Sequence, residues 1–291
     1  MKKKVFIYVF VAIFLFVGLT TLFVLLLRHG NNDKSPKKSE TEIVEPFGVW
    51  WWDDELDSKI YLEFAKNNNV NEIYLCSSKF NNETSKFIES ANDYDIKVFL
   101  LAGEKEWLND STNLHSLIGK YKTYQRTYDN TFSGIHLDIE PHQFDDFSEN
   151  RETYILSLIS LMKELKDTYR DIKFDYDIPF WLDDEVTFNS STKEAYKHII
   201  DIANRTFVMS YRDTCEDIYD VGEDEVLYAE ENKKIVVLCV ETKSSEGDKV
   251  SFMEEGKDYM NGELKELKKL LPKGFGISVH QIYTWYNLKK Y

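Results

Sequence analysis

The chain has 291 residues and a formal charge of −15, from 51 acidic and 36 basic side chains. A surface that tracks phosphates needs clustered Lys and Arg, so this balance excludes a nucleic-acid binder and points to an uncharged or cationic partner. Cys76, Cys215 and Cys239 make an odd count without metal-ligand spacing, which excludes a disulfide framework and reads as packing.

Residues 5–27 run without a charge behind Lys2, Lys3 and Lys4, long enough to cross a hydrocarbon core of about 30 Å. Neither a small-residue cleavage site near Leu25-Leu26-Leu27-Arg28 nor a lipoprotein cysteine follows, so residues 1–28 read as a transmembrane anchor. Basic residues flank both ends of the run, and the expectation is a single-pass cell-membrane protein whose following domain is extracellular. Residues 29–44 are a polar linker without apolar period, and residues 45–291, uninterrupted by a second Gly, Ser or Pro-rich gap, read as one domain. The Lys, Asn, Ile, Tyr and Phe-rich composition points to an AT-rich bacterial genome.

In that domain, apolar runs of strand length occur at 47–52, 71–76, 97–102, 134–140, 173–178, 206–211, 235–240 and 275–280. Helix-patterned segments alternate with them. Leu56, Ile60 and Phe64 repeat at helical spacing, as do Ile155, Leu158, Ile159, Met162 and Leu165, and then Leu264, Leu267 and Leu271. Eight strands joined by helical crossovers predict an α/β protein of the (β/α)₈ TIM-barrel class, preceded by the single anchor helix. No Gly-x-Gly-x-x-Gly follows the first strand, which excludes a dinucleotide-binding fingerprint there.

Catalytic groups of such barrels gather where strands run into the loops that lead to helices. The strand ends here carry Trp51, Trp52 and Asp53, then Ser77 and Ser78, then Glu104 and Trp107. In Ser133-Gly134-Ile135-His136-Leu137-Asp138-Ile139-Glu140, the apolar residues alternate with His136, Asp138 and Glu140, so one face of the fourth strand is a row of ionisable groups. Asp175 and Asp177 share a face of the fifth strand, before Pro179, Phe180 and Trp181. The sixth ends in Met209, Tyr211 and Arg212, the seventh in Glu241, and the eighth in His280 with Trp285 beyond. Aromatic plates beside carboxylates suit sugars, whose C–H faces stack and whose hydroxyl edges need acceptors. Trp52, Trp181 and Trp285 are therefore expected in a sugar platform, with Asp177, Arg212 and His280 also binding substrate.

These residues resemble those of family 18 glycoside hydrolases, the chitinases and endo-β-N-acetylglucosaminidases. Ser133, His136, Asp138 and Glu140 stand in the four places of that family's DxxDxDxE, and Asp138 and Glu140 match it. The resemblance implies that Glu140 is the general acid and that Asp138 positions the substrate acetamido group, which attacks the anomeric carbon. Met209-Ser210-Tyr211-Arg212 is similar to the family's Met-x-Tyr-Asp, implying that Tyr211 helps hold the acetamido group, with Arg212 a departure. The family's eighth strand ends in Trp, where this chain has His280.

Glu241 opens a second mechanism. Retaining clan A glycosidases place an acid/base Glu after strand four and a nucleophilic Glu after strand seven, and Glu140-Pro141 resembles their Asn-Glu-Pro with Ile139 in place of Asn. Both mechanisms need Glu140 protonated near neutrality, with burial and neighbouring Asp138, Asp175 and Asp177 raising its pKa, and neither needs a cofactor. The partner of Glu140, Asp138 or Glu241, stays open at this point; Glu241 pairing with Lys243 or Arg212 is the structural alternative. The expected activity is hydrolysis of a cell-envelope or extracellular polysaccharide. Two other classes compete: a non-catalytic glycan-binding barrel, and a metal-dependent hydrolase using His136, Asp138, Glu140 and His142.

Overall fold

The computed structural model describes residues 44–52, 59–244, 247 and 249–289. The anchor at 1–28, nearly all of the linker at 29–44, and Asp53 and Leu56 lie outside the described residues. Among the described residues, no helix is long and apolar enough to cross a membrane.

Eight parallel strands close a barrel: β1 (Phe47–Trp51), β2 (Glu72–Cys76), β3 (Lys97–Ala102), β4 (Ile135–Leu137), β5 (Phe174–Pro179), β8 (Arg205–Met209), β9 (Val236–Glu241) and β10 (Gly276–His280). Neighbours follow chain order, and β1 closes on β10 with Gly48 opposite Ser278. An antiparallel hairpin, β6 (Glu185–Phe188) and β7 (Ser191–Glu194), is inserted between β5 and β8. Its four-residue strands carry mostly exposed side chains and no apolar period, so it is not among the eight apolar runs of strand length. Helices α1 (Lys59–Asn67), α2 (Asn82–Asn92), α3 (Thr112–Thr127), α4 (Phe147–Thr168), α5 (Ala195–Ile202), α6 (Cys215–Glu231), α7 (Lys257–Leu270) and α8 (Ile282–Asn287) cover the barrel.

Alternation along each strand divides the core in two. Outward residues such as Val49, Ile73, Leu75, Leu100, Ile135, Leu137 and Val279 pack under the helices, where Ile155, Leu158, Ile159, Met162 and Leu165 of α4 meet them. Trp50, Tyr74, Phe99, Leu101, Phe207, Val237 and Cys239 form a smaller cluster inside the barrel. On α1 the buried residues are Leu62 and Ala65; of the expected stripe Phe64 packs against the core, whereas Ile60 is 54 % exposed. Trp285 is also corrected: it is 1 % exposed and meets Phe47 and Phe64 edge-on beneath α8, away from any sugar. It follows its strand by five residues, long enough for the chain to turn into a helix and send the ring back to the core.

The end of the barrel where the strands begin is plugged by ions. Nη1 of Arg205 donates to both carboxylate oxygens of Glu72 at 2.8 and 2.7 Å, and its Nε and Nη2 donate to Asp175 Oδ2 at 3.1 and 2.6 Å. Tyr74 Oη donates to Glu72 at 2.9 Å above this layer. Removing one partner of such a network leaves uncompensated buried charge. Arg205→Met is therefore expected to destabilise the fold by about 3–5 kcal/mol, measured by denaturant unfolding; a loss below about 1 kcal/mol would show that Glu72 and Asp175 find other compensation.

Candidate active site

At the opposite end of the barrel lies a cavity of about 700 Å³ whose lining includes Trp52, Asp138, Glu140, Trp181, Tyr211, Arg212, Glu241 and His280. Those eight expected site residues thus converge from the ends of β1, β4, β5, β8, β9 and β10. The β4 ladder is shorter than expected, ending at Leu137, with one further bond from Asp138 N–H to the Ala102 carbonyl. Asp138 and Glu140 leave the sheet because they serve the cavity rather than a neighbouring strand. Gly103 permits this: a Cβ there would fall 1.8 Å from the Asp138 carbonyl oxygen, a clash of backbone that no rotamer relieves.

His136 is fully buried below the cavity floor. Its ring stacks on Tyr74 at 4.3 Å, and Nε2 lies 2.6 Å from Asp177 Oδ2. Burial brings the His136 pKa down to about 3, and burial followed by the Glu140 charge pushes Asp177 well up. Asp177, expected to bind substrate, is 3 % exposed and is not among the residues lining the cavity; it supports Asp138 from beneath instead. His136 is likewise turned to Asp177, so it does not converge with Asp138 and Glu140 on one point. Among the described residues, no group of three His, Cys, Asp or Glu side chains is placed to hold a metal ion.

Asp138 and Glu140 form a hydrogen-bonded carboxyl pair. Burial, then the charges of Asp177 and Glu140, and then the hydrogen bond to Glu140 push Asp138 well above the usual carboxylate range. Burial also acts to raise Glu140, but the hydrogen bond and charge of His142, followed by Gln143 and His280, outweigh it and hold Glu140 below that range. The raised carboxyl of the pair is thus Asp138, whereas Glu140, expected to be the raised one, is shifted the other way. Asp175, expected to add like charge, is instead bound to Arg205 at the far end.

His142 Nε2 lies 2.9 Å from Glu140 Oε2. Sequence reasoning treated His142 only as a metal ligand. The missed signal was Pro141, which starts a short 3₁₀ turn (Pro141–Gln143) and folds the residue two positions on back over Glu140. His142 also meets Trp181 edge-on at 5.4 Å, and Arg151 lies over the same indole at 4.6 Å.

Glu241 ends β9 with three donors on its carboxylate. The backbone N–H groups of Thr242 and Lys243 reach Oε1 at 2.7 Å each, and His280 Nδ1 reaches Oε2 at 2.9 Å. The side-chain pairing with Lys243 or Arg212 is absent among the described residues; His280 takes that place. Trp52 Nε1 donates to His280 Nε2 at 2.8 Å. An indole N–H can only donate, so Nε2 must accept, and the imidazole proton is fixed on Nδ1 facing Glu241. Trp52 and His280 thus touch the cavity but spend their polar atoms on Glu241. Tyr211 lines the cavity as a phenol, since burial pushes its pKa well up.

No family model matches the chain, and no curated protein sequence is similar to it. Solved structures do share its fold. A GH18 chitinase from Pseudoalteromonas aurantia superposes with a TM-score of 0.53 at 14 % identity, over 81 % of this chain and 94 % of that one. A candidate α-L-fucosidase from Bacteroides thetaiotaomicron gives 0.51 at 11 % identity, covering 83 % and 86 %. A chitinase from the same organism gives 0.51 at 13 % identity, covering 83 % and 90 %. The chain thus has the closed parallel barrel seen in family 18 chitinases and related glycoside hydrolases, at sequence identities that establish the fold alone.

Proposed function

We propose that this chain is a glycoside hydrolase acting on a polysaccharide that contains acetamido sugars, with Glu140 as general acid and Asp138 as its proton source and substrate-orienting partner. The observation that carries the reading is the Asp138–Glu140 pair in the cavity, whose more buried member is raised and whose other member is lowered. Asp138 Oδ1 is buried and has no hydrogen-bond partner, so an acceptor is open beside the scissile position while the other oxygen faces Glu140. An acetamido N–H satisfies that acceptor. The likeness in fold to two chitinases supports the same reading.

As the glycosidic bond breaks, the proton on Asp138 passes along the existing hydrogen bond to Glu140 and on to the leaving oxygen, while the acetamido oxygen closes on the anomeric carbon. Asp138 becomes a carboxylate as positive charge develops on the sugar, so its charge appears when it stabilises the transition state. Tyr211 Oη supplies a donor for the acetamido oxygen. Glu241 Oε1 accepts two backbone hydrogen bonds and Oε2 one from His280, so its carboxylate is held in place as a fixed part of the cavity wall. Water then opens the cyclic intermediate with Glu140 as base.

Glu140→Gln should lower turnover about 10²- to 10⁴-fold while the fold survives, read as new reducing ends from envelope polysaccharides. Asp138→Asn should be comparably damaged, and Glu241→Ala should lose under about tenfold. Azide rescue of a severely damaged Glu241→Ala enzyme would move the nucleophile to Glu241. Glycan binding without release of reducing ends by the unaltered protein would make it a binding protein instead.

The pH profile follows from the two displaced carboxyls. Glu140 is lowered, so activity should hold until pH falls below the ordinary carboxylate range, where the pair takes a second proton. Asp138 is raised, so the alkaline loss should come well above that range, where the pair loses its proton. His142→Leu removes the group that holds Glu140 down and should move the acid limb of kcat/KM to higher pH, leaving the alkaline limb in place. An unmoved acid limb would show that His142 does not set the Glu140 charge.

The uncharged run at 5–27 supports a barrel tethered outside a bacterial cell membrane. A C-terminal tag should then be removed by protease added to intact cells; a tag cleaved only after lysis would reverse the orientation.

A further inference from the structure

Arg212 lines the cavity with a charge that no carboxylate among the described residues meets. Glu140 faces His142, and Glu241 faces His280 and two backbone amides, while Glu104 and Glu106, which also line the cavity, make no ion pair among the described residues. Among the lining cations, Lys105 is tied to the Gln143 carbonyl at 2.8 Å and lies over the Phe144 ring at 5.2 Å. The Arg212 guanidinium has no ion-pair partner among the described residues. It is held in place rather than left loose: its central carbon lies 4.8 Å from the Phe180 ring centroid, and Nη1 donates to the Tyr211 carbonyl at 2.7 Å. A stacked guanidinium with spare donors beside a cavity is pre-organised for a two-pronged contact with a carboxylate, and little side-chain entropy remains to be lost when it forms.

We propose that the cavity binds a glycan bearing a carboxylate, seated on Arg212. The inference rests on the glycosidase reading for the location of the sugar, and it departs from the uncharged or cationic partner that the net charge suggested. Net charge acts at long range and is screened within about 8–10 Å at ordinary ionic strength, whereas this contact is local and partly desolvated. Acetamido sugars carry such a carboxylate in two ways, as a lactyl ether on the sugar itself or as an alternating hexuronic acid.

The test reads binding, so that it is separable from turnover. Calorimetry on the full chain carrying Glu140→Gln would compare peptide-free peptidoglycan strands and hyaluronan oligosaccharides with their carboxyl-reduced forms and with chito-oligosaccharides of matched length. At least one carboxylated glycan should bind about 10- to 100-fold more tightly than its reduced form, and which one does so identifies the source of the carboxylate. Adding Arg212→Gln should abolish that preference, so that the acid and carboxyl-reduced forms of the same glycan bind alike. Equal affinity for acid and reduced forms in the Arg212-containing protein would overturn the proposal without needing the second variant, and so would a preference that survives Arg212→Gln. Carboxylate-selective, Arg212-dependent binding by a protein that releases no reducing ends would leave this inference standing and remove the hydrolase reading; hydrolysis of neutral glycans with no acid preference would do the reverse.

Discussion

A closed parallel barrel sends every second side chain of each strand into an interior that water barely enters, and each ionisable group placed there must find a counter-charge or lose its own. This chain meets the requirement differently at each level. At the end where the strands begin, Arg205 satisfies Glu72 and Asp175 as ions. One layer up, His136 and Asp177 meet at hydrogen-bonding distance among Trp50, Tyr74 and Phe207. At the cavity, burial and neighbouring carboxyls raise Asp138, while His142 holds Glu140 down from the loop.

The middle layer couples the other two. Burial raises the Asp138 pKa most, and Asp177 adds to it from below. His136 occupies the place where the family 18 pattern carries a carboxylate on the same strand. Here the neighbouring strand β5 supplies Asp177, and the histidine holds it.

The wall formed by β9 and β10 follows the same logic with a neutral imidazole. Trp52 fixes the tautomer, His280 presents Nδ1–H, and Glu241 is held by three donors. Glu241 and His280 are paired in register at the ends of adjacent strands, so the arrangement follows directly from barrel closure. Arg212 stands outside this internal compensation, which is why its chemistry points to a ligand rather than to the fold.

The alternation of apolar and ionisable residues in 134–140, the eight apolar runs and the periodic Leu and Ile of α4 and α7 determined the barrel and the strand ends that would line its mouth, because side-chain period and strand count are local properties. The carboxyls Asp138, Glu140 and Glu241 were legible for the same reason. Only the tertiary structure decided what each of them faces. Asp175 and Asp177 share a strand face and a spacing of two, yet one meets Arg205 and the other His136, since depth in the barrel depends on the register between strands distant in sequence. Trp181 and Trp285 both follow strand ends, yet a helix turn returns Trp285 to the core while Trp181 stays at the cavity. The opposite shifts of Asp138 and Glu140 were decided last and least locally, by burial and by His142 brought back on the Pro141 turn, which are properties of the folded neighbourhood and not of the motif.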